Sequence, residues 1–263
     1  MTAAADEMVV PSRFCGPRSS GNGGWTAGAL ASLLDHDSAE DRPRSWPAVE
    51  VTLHAPPPLD VALGVRSDGS PTVLELRDVR VATARVVDVT LTPVPAVGAA
   101  DARAAEAAYP GHRAHPFPTC FVCGPERAEG DGLRIFPGPV SRGPTRVAAT
   151  WTPHPSLSED WHAYAEADRR ASLASTWAAL DCPGGWAGDL EERPLVLGRM
   201  TARVDSLPVV GEEHVVVGEQ RGRDGRKTAT ATTLYDAGGR RIATSEQLWI
   251  TVDPARFSES APD

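Results

Sequence analysis

The segment SSGNGGWTAGALASLL, residues 19–34, runs a polar, glycine-rich turn straight into an apolar helix. A helix N-terminus offers backbone N–H groups without intrahelical partners and the positive end of the helix dipole. Asn22, Gly23 and Gly24 could therefore stabilise negative charge that develops on a ligand. Glycine also lets a ligand approach bare backbone. The plain alternative is an ordinary helix cap, since Asn is a good N-cap and Gly is common in turns. Asp181 lies in a second apolar stretch, STWAALDCPGGWA, near the end of a helix candidate. The dipole disfavours an acid there, so either it faces solvent or something other than helix stability keeps it. Cys120 and Cys123 form a C-x-x-C that follows His112 and His115 in the string H-x2-H-x4-C-x2-C, all zinc-compatible residue types. A lone C-x-x-C equally makes a structural turn, and the turn, with no metal and no cofactor, is the expectation. Cys15 and Cys182 read as small buried residues, and His154 and His162 as surface histidines. Arg221, Arg223, Arg226 and Lys227 are the one basic cluster, suited to a single phosphorylated ligand or to a solvated hairpin tip.

Positioning these residues requires a core, and 263 residues with 41% hydrophobic content can build one large domain or two of ordinary size. A net charge of −9 with scattered basic residues argues against a nucleic-acid partner. The apolar runs are too short for a spanning helix, and no basic-then-apolar signal pattern opens the chain, so no membrane partner is expected. Four cysteines make no disulfide framework, which points to a reducing, cytoplasmic setting.

Two stretches follow one script. From Val49 and again from Gly198, short strands rich in Val, Leu and Thr are separated by a proline turn, a charged glycine turn and a final turn. Each meander follows one helix candidate, Gly23 to Leu34 in the first half and about Ala165 to Leu180 in the second, with Pro183-Gly184-Gly185 ending the latter. An Ala- and Pro-rich crossing segment between them is expected to hold a short helix. The repetition suggests tandem duplication, with one helix lying across one sheet face in each copy. The expected divisions are an N-terminal unit at 1–95, a linker at 96–116, a C-terminal unit at 117–253 and a tail at 254–263.

Three segments carry a resemblance. CFVCGPERAEGDGLRIFPG (120–138) resembles the opening of hotdog-superfamily acyl-CoA thioesterases of the phenylacetic-acid type, where a C-F-x-C-G segment leads through Gly-Leu into the first strand. NGGWTAGALASLL resembles their H-G-G turn and central helix, with Asn22 where His usually stands. STWAALDCPGGWA resembles the acid-bearing part of that helix. The resemblance implies an α+β double hotdog, with two antiparallel sheets, or one continuous sheet, each wrapped around one central helix. It also implies an acyl-thioester hydrolase acting on acyl-CoA or acyl-carrier-protein substrates, working as a monomeric pseudo-dimer or as a homodimer. The family's cysteine pair occurs without the histidines.

In that family the helix-start turn of one unit gives N–H groups to the thioester carbonyl, and an acid from the partner unit attacks it or activates water. The acid stands about nine residues after the turn. Nine on from Asn22 is Ala31, and nine back from Asp181 is Ser172, so each half keeps what the other lacks. One composite site of Asn22, Gly23, Gly24 and Asp181 is expected. Trp25 and Trp177 could line an acyl pocket or pack in the core, and Arg223, Arg226 and Lys227 could grip coenzyme A phosphates. A non-catalytic acyl or apolar-ligand binder is the main alternative, favoured by the Asn at the usual His. A hotdog hydratase or dehydratase is less favoured, because no D-x-N-P-x-H string occurs.

Overall fold

A computed structural model describes residues 6–34, 45–67, 70–140, 146–158 and 168–253. The first unit comprises β1 (Asp6–Val9), α1 (Gly23–Ala31), β2 (Trp46–Leu53), β3 (Ala62–Arg66), β4 (Thr72–Leu76) and β5 (Val79–Val86). A short helix, α2 (Ala99–Glu106), follows in the crossing segment, as its alanine content predicts. The second unit holds β6 (Gly138–Pro139), β7 (Arg146–Trp151), α3 (Leu173–Ala187), β8 (Leu195–Val204), β9 (His214–Asp224), β10 (Lys227–Tyr235) and β11 (Arg241–Thr251).

Among the described residues eleven strands make one antiparallel sheet in the order β1-β3-β4-β5-β2-β8-β11-β10-β9-β7-β6. Each half has the same internal order. Counting strands from the first of each unit, the positions run 1-3-4-5-2 from the outer edge inward in both, with β6 added outside β7. The halves meet where β2 pairs β8, Val49 opposite Ala202 and Val51 opposite Met200. That junction turns two exposed strand edges into ladder, so the sheet is continuous.

The two long helices lie against each other and run in opposite directions. A Cβ on Gly24 would stand 2.4 Å from Asp181 Cβ, and one on Gly28 would stand 2.6 Å from Trp177 Cβ. Glycine at both positions is what lets the helices approach this closely. The main core lies between them and the sheet and includes Leu30, Val51, Trp177, Leu180 and Met200.

Two expectations about the second unit need correction. Its helix starts later, at Leu173 with Ser172 as N-cap, and Pro183-Gly184-Gly185 lies inside it rather than ending it. Proline disturbs the carbonyls of the preceding turn, and here Gln247 of β11 donates its Nε2 to Leu180 O at 2.6 Å. A Cβ on Gly184 would stand 2.3 Å from Gln247 Oε1, so the glycine is what admits this side chain. Nor does the Gly132-Leu133 segment enter the sheet as a first strand. The N–H groups of Leu133 and Ile135 are taken by Phe121 O and Val122 O at 2.8 and 2.9 Å, which ties the segment to the cysteine turn.

Candidate functional site

Asn22 caps α1 in the ordinary way, its Oδ1 accepting the Trp25 N–H at 2.8 Å. Its amide nitrogen turns the other way and donates to Asp181 Oδ2 at 2.8 Å, while Gly24 N–H donates to the same oxygen at 3.0 Å. The aspartate comes from α3, in the other unit. Cap and carboxylate are therefore in direct contact across the helix pair, and the bare backbone of Gly24 makes the contact sterically feasible.

These three bonds leave two groups without partners. Asp181 Oδ1 is buried and has no hydrogen-bond partner. Of the N–H groups at residues 23–25, those of Gly24 and Trp25 are taken, and among the described residues no acceptor meets that of Gly23. Buried polar groups are rarely left unsatisfied without cause. Gly23 and Asp181 both line a largely apolar cavity of about 270 Å³, between residues 53–57 of the first unit and Leu195, Leu197 and Trp249 of the second. At 2% exposure Asp181 is effectively enclosed. Burial pushes its carboxyl up to about 7; the Gly24 N–H pulls it back, Cys120 adds to the rise, and the Asn22 amide again opposes it.

The related position nine residues after the first cap is Ala31, and the side chain of Ser172, the cap of α3, bonds its own helix, accepting from Ser175 N and donating to Ser175 Oγ. The donors to Asp181 thus come from the first unit and the carboxylate from the second.

The other expected residues divide. Trp25 stacks on Phe14, with ring centroids 4.1 Å apart and planes within 10°, and Trp177 is buried between the helices; neither lines the cavity. The expectation of an acyl wall from these two is therefore replaced by core packing. Arg223 pairs with Asp189 at 3.3 Å. Arg226 donates to Thr251 O at 3.1 Å, between the lining residues Ile250 and Val252, and Lys227 follows it at the start of β10. None of Arg223, Arg226 and Lys227 lines the cavity itself. His154 caps a short turn through Ser156 N, and His162 lies outside the described residues.

Sequence spacing missed two features. His54, at the end of β2, lines the cavity and bonds Thr83 Oγ1 at 3.0 Å; burial, then Arg80 and Arg199, lower its pKa. Cys182, one residue beyond Asp181, joins the C-x-x-C pair: the sulfurs of Cys120, Cys123 and Cys182 lie within 4.8 Å of one another. His115 Nε2 is 3.3 Å from Cys123 Sγ, whereas His112 packs edge-on to Tyr109. The four-residue string read from the sequence therefore loses His112 and gains Cys182. Hydrogen bonds from Cys123 and Cys182 hold the Cys120 thiol well below its ordinary range.

No protein-family model matches the chain, and no curated protein matches it in sequence. Solved structures do match. A proposed thioesterase from Novosphingobium aromaticivorans superposes with a TM-score of 0.59 at 12% identity over 94% of this chain and 95% of its own. The tesB protein of Mycobacterium avium subspecies paratuberculosis gives 0.54 at 11% identity over 90% and 89%. A conserved protein of unknown function with a hot dog fold, from Alicyclobacillus acidocaldarius, gives 0.52 at 13% identity over 97% and 95%. At such identities the likeness is one of fold, and it covers both units: the chain is an α+β double hotdog.

Proposed function

We propose that the protein hydrolyses acyl thioesters at a single composite site, with α1 of the first unit and Asp181 of the second acting on one carbonyl. The observation that carries this reading is the pairing of an unpartnered acceptor, Asp181 Oδ1, with an unpartnered donor, Gly23 N–H, on residues that line the same cavity. In this reading Gly23 N–H, at the positive end of the helix dipole, meets the carbonyl oxygen and stabilises the charge it gains as the tetrahedral intermediate forms. Asp181 Oδ1 attacks the carbonyl carbon or takes a proton from an attacking water. Gly24 and Asn22 hold the carboxylate through Oδ2, so their part is positioning rather than contact with the ester. The apolar wall suits an acyl chain, and in this reading the Arg226–Lys227 hairpin, bonded to Thr251, is the basic group available to a phosphorylated carrier such as coenzyme A.

Several fold neighbours carry thioesterase in their names, which agrees with this class at a coarse level. The test is turnover of acyl-CoA and acyl-carrier thioesters over a range of chain lengths, by wild type and by Asp181→Ala. Hydrolysis by wild type and a loss of about 100-fold or more in the variant are expected. After a single turnover in 18O-labelled water, label in Asp181 identifies the nucleophilic role, because it enters when water opens the acyl-aspartyl anhydride at the aspartyl carbon.

The second reading is an acyl or apolar-ligand binder without turnover. It is favoured by the engagement of Gly24 N–H with Asp181 instead of with the cavity. Saturable binding of an acyl-CoA with no hydrolysis of any thioester would select it.

A further inference from the structure

Three cysteine sulfurs from two separate parts of the chain converge, with the His115 imidazole beside one of them. Cys120 and Cys123 sit in a tight turn closed by Gly124 N–H donating to Cys120 O at 2.9 Å. Only glycine fits there, since a Cβ would stand 2.5 Å from Pro118 O. Cys182 reaches the pair from α3, its Sγ 3.7 Å from Cys120 Sγ. Tetrahedral zinc with Zn–S bonds of about 2.3 Å requires sulfurs about 3.8 Å apart. His115 Nε2 stands 3.3 Å from Cys123 Sγ but is not within 4.8 Å of all three sulfurs, so its ring must swing toward the cluster to reach the fourth position of such a tetrahedron.

All three thiols are buried and none is in a disulfide. Two N–H donors stand near the cluster. The indole N–H of Trp186, whose ring packs 5.2 Å from that of His115, is buried without a hydrogen-bond partner, and the Asn22 amide is 4.0 Å from Cys120 Sγ. Donors directed at sulfur are what metal-bound thiolates need around them. Buried cysteines alone are unremarkable packing; three mutually adjacent sulfurs with an imidazole beside them are not explained that way.

We propose that Cys120, Cys123 and Cys182, with His115 as fourth ligand, form a closed tetrahedral site for a thiophilic divalent cation, zinc being the ion whose bond lengths the cluster fits. Binding releases the thiol protons to solvent and leaves three thiolates and a neutral imidazole around the ion. His115 is the least committed ligand. Its Nδ1 accepts the Phe117 N–H at 2.9 Å, so placing the Nε2 lone pair on a cation moves the ring proton to Nδ1 and gives up that contact. The ion would tie the crossing segment and the cysteine turn to α3, one residue from Asp181. This site does not depend on the thioester reading, since zinc is bound or not whatever the cavity accepts.

The experiment is metal analysis of the purified protein, wild type beside Cys182→Ser, with zinc as the probe. About one zinc per chain is expected in wild type, and at least about tenfold less in the variant. If the variant does not fold, Co(II) added to metal-stripped wild type serves instead, and the intense visible bands of tetrahedral cobalt thiolate are expected. Wild type that carries no stoichiometric zinc and develops no such bands overturns the site. So does full zinc occupancy in a folded Cys182→Ser, or a Cys120–Cys182 disulfide in protein purified with reductant present.

Discussion

Asp181 Oδ2 is held by two donors from the other unit, and each can be removed by itself. Asn22→Ala should lose both the cap and the amide bond, costing about 1–2 kcal/mol of stability. Asn22→Ser keeps a good cap but not the reach to Asp181. Its stability, measured by denaturant unfolding, should stay close to wild type while hydrolysis falls, separating positioning from folding. Gly24→Ala forces a methyl into the Asp181 side chain and should cost about 1–3 kcal/mol as well as activity. Much at this scale was legible in the sequence: the cap, the glycines and the nine-residue mismatch between halves all pointed to one composite site. What spacing could not convey is that Gly24 N–H is taken by the carboxylate, or that Cys182 and not His112 completes the thiol cluster. Both depend on the depth at which α3 packs against α1, which only the three-dimensional arrangement fixes.

At the scale of elements, α3 shows why the Pro-Gly-Gly signal misled. A breaker triplet in isolation ends a helix, but here Gln247 serves the Leu180 carbonyl and the glycines leave room for it. Gln247 also accepts from Thr230 Oγ1 at 2.7 Å. Gln247→Leu should therefore strand buried polar groups and cost about 2–3 kcal/mol, read from unfolding midpoints. His214, which opens β9, is buried with its Nδ1 2.9 Å from Glu212 O. Burial lowers its pKa from 6.5, against the pull of Glu212 and Asp236. Protonation is thus easier in the unfolded chain. The stability from a neutral His214 is present above 6.5 and is lost as pH falls below it through the folded value. Thermal unfolding between about pH 8 and about pH 5 should show a smaller acid loss in His214→Gln than in wild type.

Among the described residues the two halves share one strand order and differ in their helices. The script of strands and turns made the repeat visible from periodicity, because each meander must present one apolar face to one helix. The continuity of the sheet through β2 and β8 was left open by the sequence, as edge pairing between distant strands carries no local signal. The proposed single site rests on the same difference. Ala31, 1% exposed, occupies the place related to Asp181, and no glycine turn precedes α3. Ala31→Asp should create no second site. It should add no activity and should cost about 2–4 kcal/mol, because the new carboxylate would be buried without donors.

The central claim is that one carbonyl is served jointly by the N-terminus of α1 and by Asp181. Its most direct test is kcat for Asp181→Asn on the best thioester substrate, together with Kd for a non-hydrolysable thioether analogue of that substrate. The account predicts a fall in kcat of about 100-fold or more with analogue binding changed only a few-fold. A folded Asp181→Asn with wild-type kcat would contradict it.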